Sequence, residues 1–226
     1  MCPIGLPAVA LAKVGPIPPK ESPASLANII PAWMRKAMGH PDLLGVKMSE
    51  FSAGPIQKAI YGKHGIMHAI DVLFESQCFG PAIMMILCGM DIMSNLDRKD
   101  PAKSTGEDFR NWVATYIHIP GDSVLKPEDL WSARCAMVHT YGVYSTPSPD
   151  RKPKVITWVP NPWRPVRHDP DADPNLVMVD PLAFKRAFSA GVERFLTSTL
   201  SDKEKKPLLE QRLSELITYL PFTFDT

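Results

Sequence analysis

The segment from Asp129 to Gly142 contains an arginine and a histidine whose types and spacing could act on a phosphodiester. Arg134 and His139 are separated by four residues. Histidine takes and returns a proton near neutral pH, and the arginine guanidinium stays cationic and fits phosphate oxygens. Metal-free cleavage of RNA needs both functions, because a proton must move at the 2′-hydroxyl or the leaving 5′-oxygen while phosphorus gains charge. On a straight helix the two side chains start about 140° apart, so a distorted helix end or a second subunit must complete the site.

Two further residues could support this pair. Asp91 lies in the most apolar segment of the chain, where an unpaired carboxylate is unfavourable, so we expect a cationic or hydrogen-bonding partner. It either pairs with Arg134 or orients His139, or it forms an ordinary salt bridge or faces solvent. Cys135 lies four residues before His139 and shares its helix face. A Cys–His nucleophile pair is conceivable there, but a small buried hydrophobic residue is the favoured interpretation.

Residues 151–167 combine positive charge with aromatic rings. Trp158 and Trp163 lie in this stretch, and it has no acidic residue. Such a composition is typical of a surface that binds single-stranded RNA. The alternative is a solvated, proline-stiffened loop whose tryptophans pack on the rest of the fold, and the acidic residues 169, 171 and 173 favour it. The candidate RNA-binding residues are Arg151, Lys152, Lys154, Arg164 and Arg167.

A metal site is a third reading of the titratable residues. His64 and His68 are four residues apart and Asp71 is three further on, so a helix would place them on one face, and Asp91 could join them. However, two histidines at this spacing without the glutamate of a zincin are not a metal-binding motif. We therefore expect no metal and no other cofactor.

Composition excludes several classes of protein. The 226 residues carry 25 Lys and Arg against 24 Asp and Glu, so bulk charge does not indicate a nucleic-acid partner. The longest apolar run, about residues 82–93, is too short and too polar for a membrane span. The four cysteines form no C-x-x-C pair, and the N-terminus lacks the features of a secretory signal. Phosphate-binding, dinucleotide-binding and serine-hydrolase glycine motifs are missing. We expect a cytoplasmic protein with no membrane association.

The pattern of prolines and apolar residues divides the chain. Nine of the 24 prolines lie in residues 1–55, which predicts a proline-rich irregular arm, and eight lie in residues 147–174. Apolar residues at helical spacing predict helices that begin near Ile66, Pro81, Thr105, Pro127 and Pro181, and a last helix over residues 202–220. Two β-rich stretches, residues 154–159 and 176–179, could pair as a hairpin.

Arg134-Cys-Ala-Met-Val-His139, near the end of a helix in a helical bundle, resembles the motif of the HEPN superfamily, the higher eukaryote and prokaryote nucleotide-binding domains. That motif is an arginine, four to six residues, and a histidine. The resemblance covers roughly residues 60–198, with two antiparallel helices before the motif and a small β excursion and closing helix after it. Active members often carry Asn, Asp or His directly after the arginine, where this chain has Cys135.

The resemblance implies both a fold and a function. The expected fold is an all-α antiparallel helical bundle over residues 56–226, with a small β-hairpin inserted at about residues 147–180, before the penultimate helix. The implied function is a metal-independent endoribonuclease that leaves 2′,3′-cyclic phosphate ends, with Arg134 and His139 as the catalytic pair and RNA as substrate. Family members commonly act as homodimers, and many are toxins with an antitoxin partner or act in phage defence. The alternative is a non-catalytic module of the same fold that binds RNA, a nucleotide or a protein.

Overall fold

The computed structural model describes residues 55–98, 103–120, 124–142, 153–161 and 163–214. These residues are mostly helical, with a small three-stranded sheet before the last two helices. The helices are α1 (Pro55–Tyr61), α2 (Ile66–Glu75), α3 (Phe79–Asp97), α4 (Gly106–Tyr116), α5 (Pro127–Thr140), α6 (Pro181–Ser201) and α7 (Lys205–Ser214). The strands are β1 (Val155–Trp158), β2 (Val166–His168) and β3 (Leu176–Val179). The predicted fold class is confirmed. The predicted N-terminal arm lies outside the described residues except for Pro55.

Helix α3 is the central element of the bundle. Its sequence is apolar nearly all round, and it packs against α2, α4, α5, α6 and α7. Ile86, Leu87, Met90 and Met93 are fully buried in it. A helix that is apolar on most of its surface must be covered on several sides, which explains its position. Side chains of α5 can therefore contact α3 directly.

By length and composition alone, α3 could also cross a membrane. The structure extends the apolar run of the sequence into a helix of 19 residues, longer than the segment considered above. The core helix of a soluble protein passes the same test, and half of the apolar window of α3 is buried inside this bundle. The helix is accounted for by its place in the core.

Local signals fix where the helices begin. Thr105 caps α4 through a capping box with Asp108. Helix α5 begins with Pro127 followed by two acidic residues, and Asp180 caps α6 by accepting a hydrogen bond from the backbone N–H of Ala183. These predicted starts are confirmed. Helix α3 begins at Phe79, two residues before the predicted proline.

Large side chains of α4 and α6 fill the core beside α3. Trp112 is packed against Tyr116, Phe188 and Phe195, with ring centroids between 5.4 and 6.3 Å apart. All four rings are buried. This aromatic packing holds α6 against the bundle, and α6 follows directly from the sheet.

The pairing of the strands differs from the predicted hairpin. β3 lies in the middle, and β1 pairs with it in parallel rather than antiparallel. The antiparallel partner of β3 is β2, a three-residue strand with the sequence Val-Arg-His that alternation of apolar residues did not reveal. The hairpin is therefore β2–β3. The central place of β3 agrees with its buried valines, Val177 and Val179, neither of which is exposed.

The last helix has a defined contact with the bundle. Helix α7 covers Lys205–Ser214, so it begins three residues after the predicted start near residue 202, and residues 215–220 of the predicted range lie outside the described residues. The buried Arg212 donates a hydrogen bond from Nη1 to the carbonyl oxygen of Leu96, 2.8 Å away. A cationic group there satisfies a carbonyl at the end of α3 and complements the helix dipole.

Candidate functional site

Arg134 lies on the side of α5 that faces α3. Ala133, Ala136 and Met137 of the same helix are buried in the protein interior. The Arg134 side chain is 19% exposed. Helix α5 is continuous from Pro127 through Thr140. The packing of its buried residues therefore holds Arg134 beside the central helix.

The carboxylate of Asp91 pairs with the guanidinium of Arg134. Arg134 Nη2 lies 2.5 Å from Asp91 Oδ2, and it donates a hydrogen bond to that oxygen. Asp91 therefore has the cationic partner that its apolar surroundings required. The Asp91 side chain is 32% exposed, so the pair lies at the edge of the core, where solvent and a ligand can approach it.

The surroundings of Arg134 keep it charged and oriented. Burial acts to lower the pKa of the guanidinium, but the hydrogen bond and negative charge of Asp91, with a smaller effect of Cys135, raise the pKa above its ordinary value. The ring of Trp131, one helical turn earlier, lies 5.2 Å from the guanidinium carbon in a cation–π arrangement. Arg134 Nε is buried, and it has no hydrogen-bond partner within the described part of the chain.

Two thiols lie beside this ion pair. Cys135 follows Arg134 on α5, is partly buried, and acts to raise the pKa of the guanidinium. Cys88 is one turn before Asp91 on α3 and is partly buried. Burial raises the pKa of the Cys88 thiol, Arg134 acts to lower it, and Asp91 acts to raise it. Cys88 is a neighbour of the pair that sequence analysis missed, although its spacing to Asp91 could have revealed it.

His139 lies near the end of α5, and its side chain is exposed. The residues that the structure describes include no hydrogen bond or ion pair between His139 and Arg134, and α5 shows no distortion that would bring them together. The angular separation expected for a straight helix therefore stands. One copy of the chain presents the two groups in different directions.

Tyr141 ends α5 in a left-handed conformation with φ of 51°, a position that glycine usually fills. Its side chain is 58% exposed, yet its hydroxyl lies against Gly80 near the start of α3. A Cβ at position 80 would overlap this hydroxyl. The ring of Tyr141 thus spans from the end of α5, two residues beyond His139, to α3.

The candidate RNA-binding residues differ in their surroundings. Arg151 and Lys152 lie outside the described residues. The Nζ of Lys154 donates a hydrogen bond to the carbonyl oxygen of Val124, 3.2 Å away, so this cation supports the fold. Arg164 and Arg167 are exposed.

The two tryptophans of this stretch also have different environments. Trp158 packs on Phe184 with ring centroids 4.7 Å apart, as the alternative reading expected for both rings. Trp163 is 84% exposed, contrary to that reading.

The residues considered for a metal site serve other purposes. Asp71 pairs with Lys185, whose Nζ lies 2.6 Å from Asp71 Oδ1. His64 and His68 are both exposed. Across the described ranges, no three His, Cys, Asp or Glu side chains are grouped so that they could hold a metal ion.

Comparison of the chain with protein families, with curated proteins and with solved structures finds no match. The resemblance to the HEPN superfamily therefore depends on the spacing of Arg134 and His139 and on the order of the elements around them.

Proposed function

We propose that this protein is a metal-independent endoribonuclease of the HEPN type. The observation that carries the proposal is the fixed position of Arg134. Its guanidinium is held at the edge of the core by Asp91 and Trp131, on the same helix as an exposed histidine. Asp91 engages one nitrogen of a group with five donor N–H bonds, which leaves donors for phosphate oxygens.

In the proposed reaction His139 moves the proton and Arg134 binds the scissile phosphate. The 2′-hydroxyl of the RNA loses its proton to a base and its oxygen attacks phosphorus. The bond from phosphorus to the 5′-oxygen breaks, and that oxygen receives a proton from an acid. The products are a 2′,3′-cyclic phosphate and a 5′-hydroxyl. Proton transfer by a positioned histidine accelerates such steps by about 10²- to 10⁴-fold.

The active unit in this proposal is a homodimer. Arg134 faces α3 and His139 points away from it, so one chain does not close a site around a phosphate. The surfaces of α3 and α5 carry partly exposed apolar side chains, Met84, Met85, Ile92 and Val138. A second copy that covers them would bring its own arginine and histidine to the same cleft. By the same resemblance, the proposal includes a cytoplasmic role as a toxin or phage-defence nuclease with an antitoxin partner.

One observation favours a second candidate function. The charge of Arg134 is neutralised by Asp91 within a single chain, and Cys135 follows the arginine where active relatives often carry an ionisable or amide side chain. Both features suit a non-catalytic module of the same fold that binds RNA, a nucleotide or a protein.

The test is an RNA cleavage assay with purified full-length protein in EDTA. We compare the wild type with His139→Ala and with His118→Ala, a matched control that removes another exposed histidine. The proposal expects the wild type and the control to release fragments with cyclic phosphate ends, and His139→Ala to be slower by at least about 100-fold. Cleavage that survives in His139→Ala, or that EDTA abolishes, contradicts it. Binding of RNA by both proteins without cleavage by either supports the second candidate.

A further inference from the structure

In the loop between β1 and β2, Asn161 and Pro165 are fixed to Asp180, whose buried carboxylate caps α6. Asp180 Oδ2 accepts a hydrogen bond from the backbone N–H of Asn161, 2.8 Å away, while its other oxygen caps α6. At the far end of the loop, the backbone N–H of Asp180 donates to the carbonyl oxygen of Pro165, also at 2.8 Å. Within the loop, Asn161 Oδ1 accepts from the backbone N–H groups of Trp163 and Arg164. Asn161 and residues 163–165 are therefore held in place by these hydrogen bonds.

This fixed loop presents a tryptophan to solvent. Trp163 is 84% exposed, the highest exposure among the large hydrophobic side chains that the structure describes. Trp158, five residues earlier, shows the contrasting case, because it lies on Phe184 and completes the core. Tryptophan is among the side chains that gain most from burial, so an exposed ring on a braced loop suits a partner that covers it.

Two arginines follow this ring in the sequence. Arg164 follows it directly and is exposed, and Arg167 is on β2, three residues further along. Arg167 reaches Asp169 only at 3.8 Å, with both side chains about half exposed, which is a weak interaction in water.

Two of the three acidic residues after β2, Asp169 and Asp173, have structural roles. Asp169 Oδ1 accepts from the backbone N–H of Ala172, and Asp173 Oδ1 accepts from that of Asn175. These carboxylates form the turn of the hairpin between β2 and β3. The turn explains the presence of these two carboxylates. The exposed ring of Trp163 and the two exposed arginines precede this turn in the sequence.

We propose that Trp163, Arg164 and Arg167 form a platform on which a base of single-stranded RNA stacks while the arginines contact its phosphates. The chemistry is a flat ring for a base face and guanidinium groups for the backbone, which favours nucleic acid over a protein partner. The platform rests on the proposed function in that it assigns RNA as ligand. It uses other residues than Arg134 and His139, so it binds substrate without taking part in cleavage.

The test measures binding of a fluorescein-labelled, 2′-O-methyl oligouridine of about ten nucleotides to the full-length protein by fluorescence anisotropy. Because the 2′-oxygen is blocked, this RNA cannot be cleaved, and affinity is measured whether or not the protein is a nuclease. We expect Trp163→Ala to weaken binding by about tenfold or more, and Trp163→Phe to weaken it less, since a smaller ring remains. Arg164→Ala is expected to weaken binding and to reduce its dependence on salt.

The matched control is Leu208→Ala, which removes an exposed apolar side chain from α7 and is expected to leave the affinity unchanged. Circular dichroism confirms that each variant is folded. The platform is overturned if the wild type does not bind the oligonucleotide, or if Trp163→Ala binds it as tightly as the wild type. Such a result would assign the exposed ring to a different partner, such as a protein. Loss of affinity in Trp163→Ala together with no cleavage of ordinary RNA by the wild type would remove the nuclease and keep the platform.

Discussion

Asp91 in the middle of α3 and Arg134 on α5 form an ion pair, with Arg134 Nη2 2.5 Å from Asp91 Oδ2. The two residues are 43 positions apart in the sequence, so the pair joins the central helix to the helix that carries the candidate motif. Its formation places a cationic guanidinium at the edge of an apolar core without leaving either charge unpaired.

We expect Asp91→Ala to lower the free energy of unfolding by about 1–3 kcal/mol, because it leaves the partly buried guanidinium without its carboxylate. Arg167→Ala is the control. It also breaks an ion pair, with Asp169, but the two groups lie 3.8 Å apart and both side chains are about half exposed, so its loss should cost about 1 kcal/mol or less. Urea unfolding followed by circular dichroism measures both. Equal losses, or a more stable Asp91→Ala, would contradict a structural role for the pair.

Two glycines of α3 should respond differently to the same substitution. A Cβ at Gly89 would lie 2.5 Å from Cζ of the buried Phe188 and 3.3 Å from Cδ1 of Ile66. The core must shift to accept it, so Gly89→Ala is expected to destabilise the protein by about 1–3 kcal/mol despite the better helix propensity of alanine.

Gly80→Ala is the control for that substitution. Its Cβ meets the hydroxyl of Tyr141, the far end of an exposed side chain that is free to turn away. Stability should therefore change little, within about 0.5 kcal/mol. Thermal unfolding of both variants gives the comparison. A loss at position 80 as large as that at position 89 would show that the contact between Tyr141 and α3 stabilises the fold.

Tyr61 provides a prediction about pH. Burial, with the negative charge of Glu193 adding to it, raises the pKa of Tyr61 to about 12. In the unfolded chain a tyrosine ionises near pH 10. The folded state therefore binds the proton more tightly, so this contribution to stability is present below about pH 10 and is lost as pH rises toward 12.

Replacing the phenol of Tyr61 should remove its contribution to the loss of stability at high pH. The free energy of unfolding of Tyr61→Phe is expected to fall less steeply than that of the wild type between pH 9.5 and 11.5, roughly the window in which the two states differ in protonation. Glu193→Gln should shift the ionisation of Tyr61, read from absorbance at about 295 nm, to lower pH. Parallel profiles for the wild type and Tyr61→Phe would show that Tyr61 ionises alike in both states.

The sequence predicts those parts of the fold that depend on local chemistry. Pro127 and the two acids after it indicate the start of α5, and Thr105 indicates the start of α4, because the first turn of a helix has unsatisfied N–H groups and a positive dipole end. The partner of Asp91 was predictable for a related reason, since a carboxylate in an apolar helix requires a cation or hydrogen-bond donors.

The features that sequence analysis missed depend on long-range packing. The propensities of β1 and β3 are clear, but the choice between parallel and antiparallel pairing depends on the path between them, and the short polar β2 carries no alternating pattern. Trp158 and Trp163 have the same side chain and similar surroundings in the sequence. Only the fold packs one against Phe184 and exposes the other.

Asp129, five residues before Arg134, connects the sheet to the start of α5. Its carboxylate is 3% exposed and accepts two backbone hydrogen bonds, from Lys126 N at 2.9 Å and from Lys154 N at 2.7 Å. One oxygen accepts from the backbone N–H of the residue before the helix, and the other accepts from that of the residue before β1. Asp180 has the same arrangement at the start of α6, where it holds Ala183 and Asn161.

We expect Asp129→Asn to lower the free energy of unfolding by about 1–3 kcal/mol, because an amide offers one oxygen to two buried N–H donors and turns its own NH₂ group toward the other. Asp108→Asn is a suitable control, since Asp108 occupies the equivalent capping-box position in α4 but is only partly buried, and it should cost less. Hydrogen exchange gives the second measurement. In Asp129→Asn the amide of Lys154 should exchange faster, and so should those of β1, while the amides of α4 stay protected. Uniform loss of protection would instead mean that α5 and the sheet unfold together with the rest of the bundle.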